Sequence, residues 1–228
     1  MLNPQRFLVA TATIAGVVTA ASATTVPFTE NFATDHSNWR NFNGSAGLTW
    51  VGGGGPDGSS FASGPFNFST QTTGATPVII RGQDTFGTSG GAFFGNWIAD
   101  GVTQVSLSVR HNAGVPLNFF GRFASPAAFP GAVAVDFAPV PSGVWTTVSF
   151  AIDPASPQFI SFETSNFNTV FSSIGRVQFG VMVPASLAGV NQVFAFDVDQ
   201  VAVVPAPAAG LGFLGLAAWG GRRRRLTP

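Results

Sequence analysis

Val105–Ser106–Leu107–Ser108–Val109–Arg110 alternates apolar and polar side chains residue by residue. A period of two places every second side chain on one face of an extended strand, so this segment has one apolar and one polar face. The pattern returns further along. Val144, Val148, Phe150 and Ile152 share a parity, interrupted at Thr146, and Val177, Phe179, Val181 and Val183 share another, against Gln178 and Gly180. Phe194, Phe196 and Val198 then precede Val201 and Val203. Less regular runs predict strands over roughly 25–32, 47–51, 66–72, 77–82, 91–98, 117–123, 131–137 and 158–163. Between residues 24 and 204 no amphipathic helix stands out. Ten or more strands separated by Gly, Pro, Asn and Ser clusters predict an all-β sandwich or barrel.

Four short motifs narrow that choice. Phe28–Thr29–Glu30–Asn31–Phe32 opens the domain, with Trp39 a short loop later, and Gly54 to Gly58 forms a Gly-Gly-Pro-Asp-Gly loop. Val144–Trp145–Thr146–Thr147–Val148–Ser149–Phe150 is a W-x-x-V-x-F strand, and Phe196–Asp197–Val198–Asp199–Gln200–Val201 closes the domain. Together they resemble the exported jelly-roll modules related to carbohydrate-binding and laminin-G-like domains. The resemblance implies an antiparallel β-sandwich of jelly-roll type over residues 24–204.

The two ends of the chain read as sorting segments. Arg6 precedes an apolar run from Phe7 to Val18, and Ala21–Ser22–Ala23 is an A-x-A cleavage site, so residues 1–23 are expected to be a signal peptide. At the other end, Val204–Pro205–Ala206–Pro207 leads into a Gly/Leu/Ala-rich apolar segment and then Arg222–Arg223–Arg224–Arg225. From Ala208 to Trp219 the segment is free of charge, but as a helix it would span only about 18 Å of a roughly 30 Å hydrocarbon core. A short span held by cytoplasmic arginines suits temporary retention in the inner membrane. Residues 205–228 resemble the PEP-CTERM sorting tail of Gram-negative bacteria, in a VPAP form with Ala206 in place of the usual Glu. That resemblance implies an exosortase-type membrane transpeptidase as partner, cleavage near Val204–Pro207, and delivery to the cell surface or extracellular matrix.

Removing the ends changes the charge balance. All ten basic residues are arginine, and five of them lie in the two sorting segments. All ten acidic residues lie between Glu30 and Asp199, so the domain itself is about five units negative although the whole chain is neutral. Five arginines scattered over an acidic domain predict no nucleic-acid or anionic-lipid footprint. The absence of cysteine excludes disulfide staples, thiol catalysis and cysteine-ligated metals. About 180 residues suffice for one substantial core, and 24 Phe with no Tyr suggest aromatic content devoted to burial.

Candidate sites follow from the rarest chemistry. In the jelly-roll modules this chain resembles, the first and last strands pair, and carboxylates on them share a structural calcium with loop carbonyls. Carried over, Glu30 and Asp199 are the expected ligands, with Asp197 and Asp57 as additions. Calcium takes six to eight oxygens, and Asp197 and Asp199 face the same side of their strand. The alternative is a set of solvent-facing carboxylates. Gly52 to Gly55 lacks the following helix and lysine of a phosphate cradle and reads as a turn or surface loop. A sugar platform needs flat exposed rings beside polar groups. Trp39, Trp50 and Trp97 lie in or near predicted loops and are the candidates, the alternative being that they plug the sandwich edges. Trp145, in a predicted strand, is assigned to the core.

Catalysis finds little support. The domain holds two glutamates, Glu30 and Glu163, where glycosidases usually need a facing pair of carboxylates. His36 and His111 lack a G-x-S-x-G partner and read as surface histidines. The expected role is non-enzymatic, and the PEP-CTERM resemblance implies a structural or adhesive one in association with exopolysaccharide. A module that binds a specific glycan is the alternative, and a polysaccharide-acting enzyme a weaker one.

Overall fold

The computed structural model describes residues 23–206. Most of the expected signal peptide, including Ala21, lies outside that range, as do Pro207 and Arg222 to Arg225. Ala23 and Val204–Ala206 fall at its two limits.

The alternating segment at Val105 becomes the longest strand but one, β5 (Val102–His111). It lies in a six-stranded antiparallel sheet with β1 (Phe28–Glu30), β2 (Thr49–Val51), β3 (Phe61–Asn67), β8 (Thr146–Ala151) and β11 (Val193–Pro205). The path runs β2-β3-β11-β5-β8, with β1 also paired to β11. A second sheet has the order β4-β10-β6-β7-β9, from β4 (Val78–Gln83), β6 (Phe119–Ala124), β7 (Gly131–Val135), β9 (Phe159–Ser161) and β10 (Arg176–Val181). The two sheets face each other as a jelly-roll sandwich, which resolves the choice between sandwich and barrel. First and last strands pair, with Glu30 opposite Val201.

The inner faces are filled by the residues that alternation selects. Val105, Leu107 and Val109 of β5 meet Val148 and Phe150 of β8 on one side, and Val177, Phe179 and Val181 of β10 oppose them from the other sheet. Aromatic rings span the gap: Trp39 stacks on Phe179 at 6.0 Å and meets Phe93 edge-on at 5.6 Å. Full burial of each such side chain stabilises the fold by about 1.5–3 kcal/mol.

In β11 the buried set shifts from Phe194, Phe196 and Val198 to Val201 and Val203, a change of parity. A β-bulge between Asp199 and Ala202, with Gln200 at φ 51°, supplies the extra residue. Without it, every side chain beyond would point to the wrong face.

Three expectations need correction. Residues 91–98 are not a strand: they follow a tight helical turn at Thr88–Gly91 and are held by an isolated Gly95–Ile174 bridge and by the Val102 amide of β5, which donates to the Trp97 carbonyl. The strand expected at 66–72 lies earlier, at Phe61–Asn67, because Ser69 to Gly74 belong to turns. A short helix, α1 (Phe167–Phe171), was not expected, and Asn166 caps it by accepting from the Thr169 amide. Its Val170 and Phe171 are buried.

Candidate functional site

The four expected calcium carboxylates separate into different environments. Asp197 is paired with Arg110, its cross-strand neighbour, at 2.8 Å. Asp57 accepts from Gln200 Nε2 at 3.0 Å. Glu30 Oε1 accepts from the Phe32 amide at 2.9 Å, and Oε2 from the Ser89 hydroxyl at 2.7 Å. Asp199 is fully buried, its two oxygens accepting from Ser59 Oγ and the Gln200 amide, each at 2.7 Å. Burial raises the Asp199 carboxyl above the usual carboxylate range, with the Asp57 and Glu30 charges adding to it; the Ser59 and Gln200 bonds oppose the shift. Among the described residues no three acidic or histidine side chains form a ligating group. Glu30 and Asp199 remain as two buried carboxylates with no cationic partner among those residues.

The Gly52–Gly55 loop is packed down against the outer face of the six-stranded sheet. The Gly54 carbonyl accepts from Arg110 Nη1 at 3.3 Å and Trp145 Nε1 at 2.9 Å. Trp145 precedes β8 and is half-buried, not in the core: its ring lies 4.7 Å from the Arg110 guanidinium carbon. The parity explains this, since Val148 and Phe150 point inward and Trp145 has the opposite sense.

Trp39 and Trp97 cannot stack on a sugar, because both are 0% exposed. The indole N–H of Trp39 donates to Ser89 Oγ, which donates to Glu30, so the carboxylate anchors a core ring. Trp97 donates to the Phe93 carbonyl at 2.8 Å. Trp50 keeps an exposed ring on edge strand β2, with its N–H tied to the Phe32 carbonyl at 2.7 Å. His111 is also no surface residue. It is buried against Phe196, with Nε2 donating to the Val140 carbonyl and Nδ1 accepting from the Ala113 amide. Burial lowers its pKa, and the Val140 bond opposes that shift.

A different surface gathers convergent chemistry. On the outer face of the five-stranded sheet, directly paired residues form one cross-strand row: Arg40, Arg81, Gln178, Arg122, Val133 and Ser161. Paired residues share a face, so the side chains of this row lie side by side. Gln83 and Arg176 form the adjacent row. Arg122 reaches Gln178 Oε1 at 3.0 Å and grips Glu163, which follows β9. Gln178 is 1% exposed, and its Nε2 has no hydrogen-bond partner. Arg176 donates to Gln83 Oε1 and the Pro126 carbonyl, and Arg81 to the Phe42 carbonyl.

Exposed rings flank the row. Phe42 (42% exposed) borders a groove of about 390 Å³ shared with Arg81, Asn67, Ser69 and Gln71. Phe129 (67% exposed) lies 5.2 Å from the Arg122 guanidinium carbon, beside a second groove of about 610 Å³ that Glu163 and Thr164 also border. The arrangement offers flat apolar surface at both ends and hydrogen-bonding groups between. Four of the five domain arginines, scattered in sequence, thus meet on one face. Arg122 interrupts an otherwise apolar strand and Arg81 follows three apolar residues of β4, which was the available signal.

No protein-family model matches the chain, and no curated protein matches it. Its fold is similar to that of several solved structures. One is the N-terminal part of endo-1,4-β-D-xylanase 10B from Clostridium thermocellum, containing a family 22 carbohydrate-binding module and a family 10 glycoside hydrolase module, complexed with xylohexaose. It aligns with TM-score 0.50 at 15% identity, over 79% of this chain and 28% of that one. A family 11 carbohydrate-binding module of a cellulosomal cellulase from the same organism gives 0.45 at 12% identity, covering 81% and 97%. The xylan-binding family 22 domain of a Paenibacillus barcinonensis protein gives 0.42 at 13%, covering 82% and 100%. The chain thus spans little more than a quarter of the xylanase structure. At these identities the likeness is one of fold.

Proposed function

We propose that this chain is a non-enzymatic glycan-binding protein that adheres to exopolysaccharide through the outer face of its five-stranded sheet. The observation that carries the reading is the row Arg40–Arg81–Gln178–Arg122, bracketed by the exposed rings of Phe42 and Phe129. Rings supply area for stacking against a sugar face, and fixed donors orient its hydroxyls. The sandwich fold shared with structures that contain carbohydrate-binding modules supports the reading. The one carboxylate in contact with the row, Glu163, is held by Arg122, which leaves no opposed pair for glycoside cleavage.

Delivery follows from the two ends. The signal peptide at 1–23 directs export, and the tail at 205–228 holds the chain in the inner membrane until an exosortase-type transpeptidase acts near Val204–Pro207. The product then resides at the cell surface or in the extracellular matrix. A structural calcium ion is proposed at Glu30 and Asp199, where two buried carboxylates lack a cation. The ion would neutralise them and tie the first strand to the last.

A glycan microarray probed with the full chain tests the binding role. Saturable binding that weakens at least about tenfold in Phe129→Ala, with an unchanged melting temperature, is the expected result. No binding to any polysaccharide by the folded chain would overturn it.

A further inference from the structure

The charge of the ligand face narrows its ligand class. Four guanidinium groups, those of Arg40, Arg81, Arg122 and Arg176, stand against the single carboxylate of Glu163. Arg122 is the one that is ion-paired. Arg81 donates to the Phe42 carbonyl, Arg176 to Gln83 Oε1 and the Pro126 carbonyl, and Arg40 to the Gly44 carbonyl at 3.1 Å. These acceptors are neutral, so three positive charges stay uncompensated. The six-stranded sheet is the opposite: Asp197, Asp199 and Asp57 lie on it and its covering loop, with Arg110 as the only other arginine of the domain.

The four arginines are half-buried, so their charges are less screened than those of freely solvated side chains. Burial lowers the pKa of Arg81, and the neighbouring Arg122 and Arg176 lower it further; Arg176 is lowered by burial and by Arg122. Crowded cations of this kind gain when an anion arrives. Between them, the buried Gln178 Nε2 adds a donor that still lacks an acceptor. A surface made of donors is matched by a group that only accepts. The planar fork of arginine fits a carboxylate through two parallel hydrogen bonds, which a neutral sugar hydroxyl cannot reproduce.

We infer that the face is selective for acidic polysaccharide, taking the carboxylates of uronic-acid residues between Arg81, Gln178 and Arg176, with sugar rings against Phe42 and Phe129. This rests on the glycan-binding reading and specifies its ligand. The matrix it would join is a uronate-bearing one, and the domain's own negative surface would turn the arginine face toward the polymer.

Calorimetric titration of the full chain in mild detergent, with polygalacturonate and with the same polymer fully methyl-esterified, separates charge from backbone. The expected result is binding of the acid form at least about tenfold tighter than the ester, weakening as sodium chloride rises. Arg81→Gln and Arg176→Gln should each lose about tenfold; Arg81→Lys, which keeps charge and fold but not the fork, should fall between. Equal binding of acid and ester would overturn the acidic selectivity and leave the glycan-binding reading standing. Equal binding of polyglutamate and polygalacturonate would overturn it as simple polyanion attraction. No binding to either polymer, together with none to any neutral glycan, would overturn both.

Discussion

Arg122 and Glu163 meet through two parallel contacts, Nε to Oε1 at 2.6 Å and Nη2 to Oε2 at 2.7 Å. The pair lies over Gly131, where a Cβ would come within 2.6 Å of Glu163 Oε2, so glycine there leaves the room the pair needs. Glu163 itself adopts φ 47°, and Thr164 follows at φ 66°, so the turn after β9 aims the carboxylate back at the sheet. The consequence is a fixed guanidinium at the centre of the ligand face.

Glu163→Gln removes the charge and keeps the shape. Both side chains are mostly buried, at 14% and 19% exposure, so the loss should exceed that of a surface pair and reach about 1–2 kcal/mol. In a domain of this size that lowers the melting temperature by roughly 2–8 °C. Affinity for polygalacturonate should rise, because Arg122 becomes free to bind it. Thermal denaturation and calorimetry on the same preparation read both effects; an unchanged melt with unchanged binding would show that the pair does not organise the site as described.

The buried tryptophans carry stability. Trp39→Ala and Trp97→Ala each open a large cavity among packed rings and should cost about 3–5 kcal/mol. Trp50→Ala, at an exposed edge, should cost about 1 kcal/mol, near one hydrogen bond. Denaturant titration of the three variants ranks them, and a smaller loss for Trp39 than for Trp50 would contradict the packing.

His111 makes stability depend on pH. Its folded pKa lies below the ordinary 6.5, so the unfolded chain takes up a proton first. The contribution of His111 is therefore whole above about pH 6.5 and declines as pH falls from there toward the lowered folded value. His111→Gln should flatten this part of the stability–pH curve, measured by denaturant midpoints between about pH 7 and 5. A wild-type curve with no slope in that interval would count against a buried, neutral imidazole.

Asp199 has the opposite sign. Its raised folded pKa means that its stabilising contribution is complete below about pH 3.8 and is lost as pH rises through the folded value. At neutral pH and without metal, Asp199→Asn should therefore raise the melting temperature, since the amide oxygen can accept from the Gln200 amide while its NH2 donates to the Ser59 hydroxyl oxygen. Calcium should stabilise the wild-type chain and leave the variant unchanged. Calcium stabilising both equally would remove Asp199 from the proposed ion site.

The sandwich was legible because alternation is local: β5, β8 and β10 each carry their inward face in their own residues. Even the bulge in β11 left a trace, in the step from Val198 to Val201. The ligand face left almost none, because Arg81, Gln178 and Arg122 are neighbours only across three strands, and register is not written in any one of them. Trp39 and Trp97 misled for a related reason. Sequence places them near loops, but Trp39 stacks on Phe179 of β10 and Trp97 packs against Phe123 of β6 and Phe171 of α1, so both rings sit in the core. Of the carboxylates singled out at the domain ends, Glu30 and Asp199 are the two that burial leaves without a cationic partner among the described residues. Asp197 was not separable from Asp199 by parity, and cross-strand pairing with Arg110 set it apart.

Hydrogen–deuterium exchange of the full chain, with and without saturating polygalacturonate, tests the central claim most directly. The account predicts slowed exchange at residues 78–83, 119–124 and 176–181 and around Phe129, with the outer face of the six-stranded sheet unchanged. Protection centred instead on Trp50 and the Gly52–Gly55 loop would place the ligand on the other sheet and contradict it.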